Sequence, residues 1–256
     1  EYSRDEAVDE LLNMGGDNNS EKSSGDKMES LTKEEYDALL NSEISEQSYN
    51  DEQSEYENEL YDKGLNFIGG VDEVGRGPLI GSVVAACVVL PRDFVLEGLT
   101  DSKKLSEKKR DEFYKVIEDK AIAIGIGIVD ERKIDEVNIY EATKIAMKEA
   151  IKNTGIKLDH VLIDAMPLDI DVDTTSIIKG DAKSISIAKV TRDKMMYDLD
   201  KIYPMYDLAH NKGYGTKKHI EAIKKYGITK YHRLSYKPVS DYKDKVNNIE
   251  KELSTN

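Results

Sequence analysis

A chain of 256 residues and 28.9 kDa has room for one substantial core, and its 39% hydrophobic and 34% charged residues are ordinary for a water-facing fold. No apolar run approaches the roughly 18 residues of a membrane-spanning helix. The formal net charge of −14 argues against nucleic acid only until it is located: residues 1–60 hold 19 Asp/Glu against 4 Lys/Arg, leaving 32 against 33 in the remainder.

The opening residues EYSRDEAVDE carry neither the basic start nor the apolar stretch of a secretory leader. The single cysteine, Cys87, sits in an apolar run, which rules out an intramolecular disulfide and a thiolate zinc site. A cytoplasmic protein is the expectation. Residues 13–27 are Gly/Ser/Asn-rich and read as loop or disorder. LTKEEYDALL comes next, with Thr32 and Glu35 in a capping-box pattern. Residues 1–60 thus read as an acidic extension, and ENELYDKGLN as a short helix leading into the core.

From Phe67 the texture changes. FIGGVDEVGRG is a short apolar strand ending in two carboxylates and a glycine-rich turn, and GSVVAACVVL is a continuous apolar run of the kind covered on both faces. LSEKKRDEFYKVIEDK reads as a charged helix opened by Ser106, AIAIGIGIVD as a buried strand, and IDEVNIYEATKIAMKEAIKNTG as one long helix stopping near Gly155. HVLIDAM and TTSIIKGD are strands whose ends carry Asp164 and Asp181. AKVTRDKMMYDLDKIY and TKKHIEAIKKYG are helices, the second halted by Gly227. This order gives an α/β layer architecture.

Asp72, Asp164 and Asp181 each come after a predicted strand, and Glu73 adjoins the first. Carboxylates gathered at adjacent strand ends repel one another, and oxygen-rich groups of this kind suit Mg²⁺ or Mn²⁺. Two such ions about 4 Å apart activate a water and stabilise the leaving oxygen in phosphodiester hydrolysis. Turn-forming aspartates at strand ends are the alternative for any one of them. Gly75-Arg76-Gly77 provides a close-approach loop with a phosphate-seeking arginine, but lacks the ending of a Walker A loop. DSKKLSEKKR, HNKGYGTKKH and KYHRLSYK could line a nucleic-acid groove, with lysines on phosphates and tyrosines stacking, or could be solvated faces. The histidines form no HExxH; His210 and His219 do not read as zinc ligands, and His160 reads as structural.

Taken together, GVDEVGRGPLIGSVVAACVVLP, LTDSKKLSEKKR, VLIDAM, IIKGDAKS, AKVTRD, NKGYGTKKH and HRLSYKPV, in this order, resemble the bacterial ribonuclease HII family over roughly Phe67 to Val239. The resemblance implies a ribonuclease H-like α/β fold, with a mixed five-stranded sheet flanked by helices and a helical C-terminal part. It implies an extension over 1–60, a catalytic domain over 61–200 and a substrate-binding part over 201–256. It assigns Asp72, Glu73, Asp164 and Asp181 as catalytic, metal-holding carboxylates for a Mg²⁺ or Mn²⁺ pair. Gly75, Arg76 and Gly77 would grip the ribonucleotide and sense its 2′-hydroxyl. Tyr214 would stack at the ribose-to-deoxyribose junction, and Lys103, Lys104 and Lys212 would hold phosphates.

The implied reaction is cleavage 5′ to a ribonucleotide in RNA–DNA hybrids or duplex DNA, as in ribonucleotide excision repair, by a monomer with no membrane partner. One departure from the family pattern lies after GDAKS, where KGDAKSISIAKVTRD runs straight from Ile187 to Ala188 and is about six residues short. Six residues at 100° each remove more than one and a half turns and rotate the downstream residues by about 120°. This predicts a helix that starts later or packs differently, and leaves a catalytically silent duplex-binding module as the alternative.

Overall fold

The computed structural model describes residues 56–92, 94, 106–164, 166–177 and 182–246, with only the backbone at 164, 177 and 182. The Thr32–Glu35 capping pattern and the rest of the acidic extension before residue 56 lie outside the described residues. A helical stretch over residues 56–62 precedes β1 (Ile68–Val74) and β2 (Val83–Val89). Then come α1 (Glu107–Lys120), β3 (Ala123–Val129), α2 (Glu131–Val137) and α3 (Ile139–Asn153). β4 (His160–Asp164), β5 (Thr174–Ile177), α4 (Ala182–Ile202), α5 (Leu208–Asn211) and α6 (Lys217–Tyr226) complete the order. Among the described residues no helix is long and apolar enough to cross a membrane.

The five strands form one mixed sheet in the order β3-β2-β1-β4-β5. β1 is antiparallel to β2 and β2 to β3, whereas β4 runs parallel to β1 and β5 to β4. β2 shows why VVAACVV is apolar throughout. Successive side chains of a strand alternate between faces, so Val83, Ala85, Cys87 and Val89 join Ala142, Ala146, Met147 and Ala150 of α3 in one core. Val84, Ala86 and Val88 join Ile117 of α1 and Ile187 and Ala188 of α4 on the other face. A third cluster, with Leu79, Ile80, Tyr206, Leu208, Ile223 and Val239, anchors the C-terminal helices to the β1–β2 connection. Leu60 of the leading helical stretch is buried with Ile68 and Leu162.

Three expectations from the sequence change. The stretch 131–153 is two helices, because Asn138 adopts φ 72° and its Oδ1 accepts the backbone N–H groups of Tyr140 and Glu141 at 2.9 and 3.1 Å. Asparagine tolerates the left-handed region and caps a helix start, so one residue ends α2 and begins α3. The Ile-rich β3 is an edge strand rather than a fully buried one, with Ile128 44% exposed. Its glycines have a packing role: a Cβ at Gly125 or Gly127 would overlap the α3 backbone at Ala150 or Ala146. Finally, α4 begins at Ala182, immediately after Asp181, and runs 21 residues, so its start is not delayed by the shortened segment. Its Ser184 hydroxyl donates to the β1 carbonyl of Gly70 at 2.7 Å, seating the first turn on the sheet.

Because the α3 backbone occupies the space a side chain would need, Gly127→Ala is expected to destabilise the protein by about 3 kcal/mol. Urea unfolding of the variant beside the parent measures this, and an unchanged midpoint would show that α3 can withdraw from β3 without loss.

Candidate active site

β1 and β4 are adjacent and parallel, paired up to Val71 opposite Ile163. The next residue on each strand is a carboxylate, Asp72 on β1 and Asp164 on β4, so their main chains lie side by side. Asp164 ends β4, whereas Asp72 and Glu73 lie inside β1, opposite Ala86 and Ala85 of β2, which corrects the expectation that they follow the strand. The Asp164 side chain, Asp181, Lys103 and Lys104 lie outside the described residues. Asp72 is 4% exposed, and its Oδ1 accepts the Glu73 N–H at 2.6 Å, which orients the carboxylate. Glu73 is paired with Arg76 Nη1 at 3.3 Å. Among the described residues no group of three His, Cys, Asp or Glu side chains is arranged as a metal cluster. The described donors, Asp72 and Glu73, present carboxylate oxygens, which fit Mg²⁺ or Mn²⁺ and would not select a soft metal.

Beside the carboxylates, the 75–77 loop leaves β1. Gly75 has φ +91°, and a Cβ there would overlap the Arg192 side chain. Only glycine meets both conditions without strain. Arg76 and Gly77 are exposed. A Cβ at Gly77 would stand 3.2 Å from Cε1 of Tyr214, so that tyrosine, 50% exposed, lies over the loop. The two segments are joined by the Leu79 N–H, which donates to the Gly213 carbonyl at 2.8 Å. Hence the structure brings Glu73, Gly75, Arg76, Gly77 and Tyr214 together, although the loop and the tyrosine lie far apart in sequence. Lys212 is on the same connection, but its Nζ donates to the Ala209 carbonyl at 2.7 Å and stands 3.6 Å from the Tyr197 ring centroid.

Two buried arginines organise this region. Arg192 of α4 donates to the carbonyls of Ser82, Ile80 and Lys212 at 3.0, 3.2 and 2.8 Å. It thereby ties the β1–β2 connection to the tyrosine loop. Burial, and then the neighbouring Arg233, bring its pKa down to about 10, so it keeps its charge at neutral pH. Arg233 is fully buried and donates to the carbonyls of Gly81, Arg76 and Gly75 at 2.9, 2.9 and 2.6 Å. The expectation that KYHRLSYK could line a phosphate groove is therefore corrected for Arg233, whose donors face the protein's own main chain. The sequence marked this stretch as basic but offered no sign that its arginine turns inward.

Comparison with known proteins agrees with this outline. Residues 69–239 match the family model described as Ribonuclease HII. The chain is similar to the ribonuclease HII of Bacillus mycoides (strain KBAB4), with 56% identity over 196 residues, covering 74% of this chain and 76% of that protein. The Bacillus cytotoxicus protein of the same name is 55% identical over the same shares. Among solved structures, ribonuclease H2 from Pyrococcus horikoshii OT3 aligns with a TM-score of 0.58 at 22% identity, covering 74% of this chain and 100% of that one. The ribonuclease HII of Archaeoglobus fulgidus aligns with a TM-score of 0.56 at 23% identity, covering 67% and 95%. These structures share the fold.

Beneath Tyr214 lies a buried histidine pair. The Thr229 N–H donates to His232 Nδ1 at 3.0 Å, which leaves the proton of neutral His232 on Nε2. That group meets His219 Nε2 at 3.3 Å, so His219 carries its proton on Nδ1 and donates it to the Tyr214 carbonyl at 2.9 Å. A further proton on either ring would set two donors against each other. Burial lowers the His219 pKa, and burial with His219 alongside lowers that of His232 to about 3. His160, the first residue of β4, is also lowered by burial, and its Nε2 pairs with Thr175 Oγ1 at 2.9 Å.

The unfolded chain takes up a proton on His232 below about pH 6.5 while the native chain refuses it, so stability present above that pH is lost as pH falls toward 3. Between pH 7.5 and 5.5 the proton refused by His232 costs about 1.4 kcal/mol. Urea unfolding at the two pH values should show His232→Gln losing about 1 kcal/mol less than the parent; equal losses would mean that His232 titrates normally.

Proposed function

Because the chain belongs to the ribonuclease HII family, it is a metal-dependent endoribonuclease acting on RNA–DNA hybrids and on ribonucleotides in DNA, and we propose that Asp72, Glu73, Asp164 and Asp181 are its catalytic carboxylates. The observation that carries this reading is the parallel pairing of β1 with β4, which puts Asp72 and Asp164 at neighbouring positions of adjacent strands. These four residues would hold two Mg²⁺ or Mn²⁺ ions, whose chemistry is to activate water and to neutralise charge on the phosphate and leaving oxygen. Cleavage falls 5′ to the ribonucleotide and leaves a 3′-hydroxyl and a 5′-phosphate.

The protein's own groups hold and test the strand. The Glu73 N–H fixes the Asp72 carboxylate before substrate arrives. The 75–77 loop grips the ribonucleotide, and its small glycines let the sugar come close to the main chain. Tyr214, exposed over Gly77, stacks on the next sugar and tests for deoxyribose. Lys103, Lys104 and Lys212 serve phosphates, an interaction that weakens with salt. Recognition is of strand chemistry and shape, through the 2′-hydroxyl, with little reading of base identity. In this arrangement residues 61–200 carry the carboxylates, residues 201–256 supply Tyr214, and residues 1–60 form an acidic extension. One chain carries every residue invoked, so the reading calls for no residue from a partner subunit.

A labelled DNA duplex with one embedded ribonucleotide tests the reading against an all-DNA duplex. A single Mg²⁺-dependent cut 5′ to the ribonucleotide is expected, lost on chelation and lowered at least about a thousandfold in Asp72→Asn. Salt-dependent binding without any cut in Mg²⁺ or Mn²⁺ would instead identify a silent duplex-binding module.

A further inference from the structure

The carbonyl oxygens of Gly75 and Arg76 both point into the protein, toward Arg233, whose Nη2 and Nη1 donate to them at 2.6 and 2.9 Å. The Tyr236 hydroxyl adds a second bond to the Arg76 carbonyl at 2.7 Å. In a trans peptide the C=O of one residue and the N–H of the next point in opposite directions. Holding these two carbonyls inward therefore turns the N–H groups of Arg76 and Gly77 outward. Arg233 is wholly buried, whereas Arg76 and Gly77 are exposed and Tyr214 stands over Gly77. The outward donors thus lie on the face where a sugar would stack.

From this geometry we propose that Arg233 and Tyr236 are positioning residues that determine ribonucleotide specificity, by presenting the Arg76 and Gly77 amides to the 2′-oxygen. The proposal rests on the reading of the 75–77 loop as the element that grips the ribonucleotide. A ribose offers those amides an acceptor that deoxyribose lacks. Arg233 is suited to the task because a planar guanidinium holds several oxygens in fixed relative positions.

The clamp is itself held at several points. The Arg233 N–H donates to the Leu79 carbonyl at 2.9 Å, and Ile80 forms an antiparallel bridge with His232. Asp135 of α2 accepts the N–H groups of Leu234 and Ser235 at 2.7 and 2.8 Å. The guanidinium also lies over the Tyr236 ring, 5.1 Å from its centroid. The loop's donor directions are thereby set by residues about 160 positions away that touch no substrate.

Equilibrium binding to two duplexes tests the proposal: one with a single ribonucleotide and one of the same sequence in DNA alone. The full chain is used in an Asp72→Asn background with Mg²⁺, so that the strands stay intact. Tyr236→Phe removes one hydroxyl and keeps the ring, and Arg233→Lys keeps the charge without the fork. Each is expected to lower the preference for the ribonucleotide duplex by about 3- to 10-fold, the worth of one oriented hydrogen bond. Affinity for the all-DNA duplex should stay the same. A lower thermal midpoint in Tyr236→Phe with an unchanged preference would reduce the clamp to a purely structural role and overturn the proposal. Equal affinity of the Asp72→Asn parent for the two duplexes would overturn the reading of the loop itself, and the proposal with it.

Discussion

Six main-chain carbonyl oxygens around the candidate active site end on two buried guanidinium groups: Ile80, Ser82 and Lys212 on Arg192, and Gly75, Arg76 and Gly81 on Arg233. These oxygens belong to connecting segments, where no neighbouring strand or helix turn supplies partners. A buried carbonyl without a donor is costly, and a buried cation without acceptors is costlier still. Each need satisfies the other here, and a charged donor forms the stronger hydrogen bond. The β1–β2 connection, the tyrosine loop and the C-terminal segment are consequently held as one body. The remaining geometry of the site depends on that constraint.

The sheet supplies the other half of the arrangement. β1 lies at the centre of the order, with an antiparallel neighbour on one side and a parallel one on the other. Its carboxyl end must therefore lead into a turn toward β2 while sitting beside the end of β4. That position gives Asp72 both the main chain of Asp164 as a neighbour and an adjoining glycine loop. The helices reinforce it from opposite faces. α3 lies close because β3 offers glycines at 125 and 127, and α4 is seated by Ser184 on Gly70. α4 then carries Arg192 to three carbonyls of two loops, so the helix, with the shortened stretch inside it, still delivers its main anchoring residue.

The histidine pair adds direction to this frame. His219 and His232 are two neutral rings whose protons are assigned by the Thr229 N–H at one end and the Tyr214 carbonyl at the other. Tyr206 packs edge-on against both rings, and their burial disfavours a charged form of either. Tyr214 can therefore expose its ring while its own main chain is fixed from below. An exposed aromatic on a fixed backbone loses less freedom when it stacks on a sugar than one on a loose loop.

Much of the design was legible in the residues themselves. The apolar run of β2, the strand-end position of Asp164, the Ser106 and Thr216 helix starts and the halt at Gly227 obey local rules of alternation, capping and backbone freedom. The ordered motifs also identified the family and the general fold. Other features were invisible because they depend on groups far apart in sequence. Nothing local distinguishes an arginine that meets phosphate from one that meets carbonyls, and only the docking of residues 231–236 on 75–81 turns Arg233 inward. The same holds for Asn138, whose left-handed backbone divides a pattern that reads as one continuous helix. Periodicity and caps are properties of neighbouring residues, so the sequence alone determined the strands, several helix ends and the family. The strand order, the inward arginines and the placing of Tyr214 over Gly77 were decided by tertiary structure, because long-range packing sets which unpaired polar groups must find one another.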